Sequence, residues 1–245
     1  MKSHTFYSLP IKTAIVLLLV GWFNTSISQS IPKELKGAWE VTMSDGSKAS
    51  WIITDGYFSI ATYKLDEPKF MYTEGGILQL SNEGELTFLW EFHTRKPDLI
   101  GQQQTHPFTL KDEILNIVST DWKRVDDGNP GKLNGAWIIT GRERNGEMRS
   151  RTPGDRKTMK ILSGTRFQWI AYNTATGEFS GTGGGTYTTV NGKYVENIEF
   201  FSRDNSRVGV SLEFDFELKD GKWNHTGLSS RGQPISEIWS DRTTL

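Results

Sequence analysis

The chain is written twice. Leu35-Lys36-Gly37-Ala38-Trp39 returns as Leu133-Asn134-Gly135-Ala136-Trp137, and Gly75-Gly76 returns as Gly184-Gly185. The stretch Trp51 to Tyr63 matches Met159 to Tyr172 with a one-residue gap. Leu86 to Phe92 falls on Tyr194 to Phe200, which sets Phe88 against Glu196 and Glu91 against Glu199. Phe108 to Asp112 falls on Phe216 to Asp220, and each copy closes on an aromatic signature, Asp121-Trp122-Lys123-Arg124 and Ile238-Trp239-Ser240-Asp241-Arg242. A period of about a hundred residues is too long for a solenoid and fits a duplicated domain. The breaker run Asp126-Asp127-Gly128-Asn129-Pro130-Gly131 separates the copies, giving expected units over residues 29–127 and 132–245.

Within each copy the hydrophobic period is two. Val208, Val210, Leu212, Phe214, Phe216 and Leu218 alternate with Gly209, Ser211, Glu213, Asp215 and Glu217, and Leu86, Phe88, Trp90 and Phe92 alternate in the same way. Such runs are strands with one apolar face. Asp55-Gly56, Asn82-Glu83-Gly84, Ser163-Gly164, Asn191-Gly192 and Asp220-Gly221 supply hairpin turns between them. An antiparallel sheet of this kind manages its edges by closing. The expected fold is therefore all-β, two tandem antiparallel barrels, the first copy having room only for a squat or incomplete one.

Residues 1–28 read as a secretory signal. Lys2 and Lys12 precede an apolar run from Ala14 to Phe23, and Ser26-Ile27-Ser28 offers a small-x-small cleavage site. The run falls short of the roughly 20 residues that span a bilayer. A secreted or periplasmic protein with no stable transmembrane insertion after cleavage is expected. The absence of cysteine excludes disulfides, thiolate metal sites, a cysteine nucleophile and a lipid-attachment cysteine. A net charge of -1 argues against a nucleic-acid partner.

Gly37-x-Trp39 and Gly135-x-Trp137 ahead of up-and-down hairpins, each copy ending on a tryptophan near an arginine, resemble the lipocalin-like (calycin) barrels. Tyr194 to Phe201, Trp223 to Gly227 and Glu237-Ile238-Trp239 look like the small lipocalin-like domains of bacterial secreted proteins. The resemblance implies a tryptophan plugging the closed end of each barrel under an arginine of the last strand, Trp39 with Arg124 and Trp137 with Arg242. The two closing signatures differ by one residue in spacing, so both arginines cannot face the same way in a regular strand. The resemblance also makes the segment Gly141 to Thr158, which carries Arg142, Arg144, Arg149, Arg151, Arg156 and Lys157, a lid over the open mouth of the second barrel.

Chemistry-bearing residues are few. His93 and His106 are expected at the surface near strand ends, whereas His225 shares a strand face with Trp223 and is either a ligand anchor, proton shuttle or haem ligand, or a structural histidine. Glu196 and Glu199 face opposite sides of their strand. Glu196 is then a carboxylate in the interior or a solvated one outside, and the recurrence of Glu199 as Glu91 favours a structural role for that pair. Gly181 to Thr186 lacks the Lys-Ser/Thr of a phosphate loop and reads as a bend in a strand. No metal-ligand spacing or nucleophile elbow occurs, and no cofactor is expected. The second barrel is taken as the functional one, with a cup walled by Phe167, Trp169, Tyr187, Tyr194, Glu196, Phe214, Phe216, Trp223 and His225. It would hold a small hydrophobic or amphipathic ligand, anionic where the loop arginines reach it. The alternatives are an isomerase, lyase or hydrolase using Glu196 and His225 as acid and base, which requires both in one cavity within about 3–7 Å, and an interaction module with a filled barrel.

Overall fold

The computed structural model describes residues 30–229 and 232–245, and the expected signal peptide lies outside them. The first copy forms β1 (Gly37–Thr42), β2 (Lys48–Ile53), β3 (Tyr57–Lys64), β4 (Lys69–Leu80), β5 (Leu86–His93), β6 (Gln103–His106), β7 (Phe108–Lys111), β8 (Ile114–Ile117) and β9 (Thr120–Asp126). The second forms β10 (Gly135–Arg144), β11 (Glu147–Ser150), β12 (Arg156–Leu162), β13 (Arg166–Asn173), β14 (Phe179–Val190), β15 (Lys193–Phe201), β16 (Ser211–Lys219), β17 (Lys222–Leu228) and β18 (Pro234–Asp241). Among the described residues there is no α-helix, and no helix long and apolar enough to cross a membrane.

Both copies are antiparallel barrels. In the second, β12 to β18 follow one another in order and β10 pairs with both β12 and β18, closing an eight-stranded barrel. Beyond the barrel β10 runs on and folds back as the β10–β11 hairpin. The first sheet has the order β6-β5-β4-β3-β2-β1-β9-β8-β7 and is nearly closed. Its edges β6 and β7 are four residues each and joined through Pro107, in line with the squat barrel that the shorter copy allows.

The paired glycines mark bulges. The ladders shift register between Gly75 and Gly76 and between Gly184 and Gly185. Gly76 and Gly185 sit at φ +158 and +155, and a Cβ there would lie 2.1 Å from the carbonyl oxygens of Leu89 and Asn197. Only glycine lets β4 and β14 bend so sharply against the next strand. The Gly181 to Thr186 stretch is thus strand, not a phosphate cradle.

Strand pairing also corrects the alignment of the copies. Trp39 pairs with Trp51, whereas Trp137 pairs with Lys160. Lys160, not Met159, therefore stands where the first barrel has Trp51, and no gap is needed. Sequence matching preferred an apolar residue opposite tryptophan; backbone register does not.

The plugs follow the expectation in one barrel only. Trp39 and Trp137 are buried, and their indole N–H groups donate to the carbonyls of Leu35 and Leu133 at 2.9 and 2.8 Å. Arg124 lies over Trp39 with its Cζ 4.1 Å from the ring. Arg242 does not cover Trp137. The residue paired with Trp137 is Asp241, and Arg242, one step further, turns to the first barrel, where it binds both oxygens of Glu91 at 2.8 and 2.9 Å.

The barrels pack through outward faces that are apolar instead of solvated. Ile52 and Phe92 of the first meet Met159, Ile161, Ile170 and Tyr172 of the second, and Tyr63 meets Phe200. The contacts repeat with pseudo-twofold symmetry: Tyr63 donates to Glu199 at 2.6 Å and Tyr172 donates to Glu91 at 2.7 Å. Arg166 pairs with Glu199 at 2.7 Å and also with Glu40. The shared role of Glu91 and Glu199 is thus to join barrel to barrel.

Candidate functional site

The inward face of the second barrel gathers most of the residues singled out in sequence. Phe167, Tyr187, Tyr194, Glu196, Phe214, Trp223 and His225 are buried, while Trp169 and Phe216 are half-buried at its margin. At the centre stands Lys160, which the sequence reading missed. Its ammonium donates to Glu196 at 2.8 Å and meets His225 Nε2 at 3.5 Å. It also lies 4.9 to 5.5 Å from the ring centroids of Tyr194, Phe214, Trp223 and Trp239. Tyr194 donates a second hydrogen bond to Glu196 at 2.9 Å. Lys160 shares its face of β12 with Leu162, an inward core residue. A lysine two places before an inward leucine is the signal that could have found it.

The electrostatics follow from burial. Lys160 and Glu196 are both nearly sealed from water, and an ion pair there offsets the desolvation of its two members. Burial, and then the Lys160 charge, hold the His225 imidazole well below its usual range, so it is neutral. An ammonium only donates, so Nε2 accepts and Nδ1 carries the proton. Nδ1 and the nearby Trp223 Nε1 are buried without a hydrogen-bond partner. Glu196 and His225 do converge, but on Lys160. In the first barrel the same three places hold Trp51, Phe88 and Ile117, by the equivalence of the strand pairs.

The first barrel nonetheless holds open space. A cavity of about 350 Å³ opens in the first barrel at the end away from Trp39. Its wall includes Trp51, Phe88, Trp90, Ile117 and Trp122, and its polar members include Thr62, Glu74, His93, Arg95 and His106. His93 is buried, not at the surface as expected, and His106 is half-buried. The reason is the bulge opposite Gly75-Gly76, which adds Glu91 and reverses the alternation of β5, so that Phe92 faces the second barrel and His93 turns inward, its ring centroid 5.2 Å from that of Trp90. The Lys96 backbone N–H donates to His93 Nδ1 at 3.2 Å, and His93 Nε2 lies 3.0 Å from Glu74 Oε2. Burial, with help from Arg95 and Lys96, lowers His93 to about 4, and burial raises Glu74. Two buried polar atoms of this wall, Trp51 Nε1 and Thr62 Oγ1, have no hydrogen-bond partner. At the rim Arg95 covers Tyr72, its Cζ 3.5 Å from the ring.

Among the described residues no cluster of histidine, cysteine and carboxylate side chains could hold a metal ion. Comparison of the sequence with protein-family models and with curated proteins returned no match.

Proposed function

We propose that the protein is a secreted, calycin-like carrier that binds a small, partly apolar molecule in the cup of the first barrel. The observation that carries this reading is the coincidence of a cavity of about 350 Å³ with two orphaned polar atoms in its wall, Trp51 Nε1 and Thr62 Oγ1. Buried polar groups are ordinarily satisfied, and leaving one unmade costs about 1–3 kcal/mol. A ligand with an apolar body and acceptors for the Trp51 N–H and the Thr62 hydroxyl would supply what the wall lacks. Arg95 and Lys96 at the rim favour an anionic end. The cup expected in the second barrel is less favoured, because Lys160 and its aromatic ring of neighbours stand in that interior. The same lysine engages Glu196 and His225, which leaves the enzyme reading without a free acid and base.

The test is titration of the full chain with anilinonaphthalene sulfonate, an apolar anion whose emission is excited by energy transfer from tryptophan. Wild-type protein is expected to bind it in this cup. Thr62→Trp, which fills the cup, should weaken binding about tenfold or more, while the near-isosteric Thr62→Val keeps the site. Equal binding by wild type and Thr62→Trp would overturn the assignment.

A further inference from the structure

The β10–β11 hairpin carries a second site. Its arginines are exposed but not scattered; Arg142, Arg144, Arg149, Arg151 and Arg156 line one cavity of about 280 Å³ at the mouth of the second barrel, together with Ile139 and Thr158. Pairing in the ladder sets Arg142 directly opposite Arg149. Like charges at facing positions destabilise an antiparallel pair. Little on the protein relieves them. Arg142 is taken by Glu237, and Arg151 donates to the Arg156 carbonyl. Among the described residues the side chains of Arg144, Arg149 and Arg156 form no ion pair, although Glu147 stands opposite Arg144 in the ladder. The hairpin is nonetheless held in place, since the Arg151 N–H donates to the Thr140 carbonyl at 2.7 Å. The corresponding turn of the first barrel, between β1 and β2, has no such insertion.

We infer that this cavity is a binding site for a tetrahedral oxyanion, a phosphate or sulfate group, separate from the cup of the first barrel. Guanidinium forks match such oxygens two at a time, and an anion between Arg142 and Arg149 turns their repulsion into attraction. A single carboxylate would satisfy one fork and leave the others facing each other.

Inorganic sulfate and inorganic phosphate are the probes, titrated into the full chain by calorimetry with chloride at matched ionic strength as reference. Saturable binding of either probe is expected, weakened about tenfold or more in R144Q/R149Q and unchanged within about twofold in R207Q, which alters an arginine of another turn. Arg149→Lys, which keeps the charge and loses the fork, should fall between. Responses that merely follow ionic strength, or a double variant that binds like wild type, would overturn the site. Phenyl phosphate and phenyl sulfate then name the source: tighter binding of one ester marks an organic ester as ligand, and binding no tighter than the free anion marks the anion itself.

Discussion

At the scale of the residue, Lys160 governs the second barrel. Its charge is tolerated because Glu196, His225 and four aromatic faces surround it. Lys160→Met leaves Glu196 buried and uncompensated and should cost about 3–5 kcal/mol, whereas K160M/E196L, which removes both charges, should recover most of that loss. Denaturant midpoints of the two variants check this, and a small penalty for Lys160→Met alone would mean that the pair is not held as described. His225 makes a second residue-level expectation. The unfolded chain takes up a proton at this histidine near 6.5, and the folded chain resists it to a much lower pH. Its contribution to stability is therefore full above about 6.5 and is lost as pH falls below that value. His225→Ile, the first barrel's residue at this place, should flatten the decline of the urea midpoint between about pH 7.5 and 5. His93, lowered to about 4 by burial, keeps its own share of the slope.

At the scale of the element, the strands were largely legible and their depth was not. Alternation located β5 and β16, repetition carried β5 onto β15, and the breaker pairs located the hairpins, because a strand with one apolar face must show period two. The runs Trp51-Ile52-Ile53 and Met159 to Leu162 break that rule, since both faces of β2 and β12 are covered. With no alternation to read, the matching slipped by one residue and Lys160 went unseen. The plug was legible in part: Arg242 lies one residue further from its closing tryptophan than Arg124 does, and one step along a strand reverses the face, as the spacing indicated. Among the described residues no arginine lies over Trp137, which keeps its burial and its bond to the Leu133 carbonyl. Trp137→Ala should lower stability by about 3–5 kcal/mol in equilibrium unfolding, as truncation of a buried aromatic does, and a loss under about 1 kcal/mol would contradict the plug role.

At the scale of the whole molecule the two barrels behave as one body. The junction that reads as a breaker linker is docked: the buried Asp126 carboxylate accepts from Gly128 N–H, Ser163 Oγ, Gly164 N–H and both the N–H and hydroxyl of Thr165. With the Tyr63–Glu199 and Tyr172–Glu91 exchanges, separation of the copies would strand buried charges and expose an apolar face. Residues 132–245 alone are expected to self-associate in analytical ultracentrifugation. A stable monomer that melts with the full chain would show that the interface contributes little.

The linear chain by itself determined the class of fold, the duplication and the hairpins, because period, turn residues and repetition are local properties. Sequence also supplied the inventory of polar residues from which any site had to be made. Which of them meet, and around what space, was decided only by closure of the sheets and their packing face to face. Closure is a sum over strands far apart in the chain, and it placed Lys160 between Glu196 and His225 while leaving Trp51, Phe88 and Ile117 around an open cup.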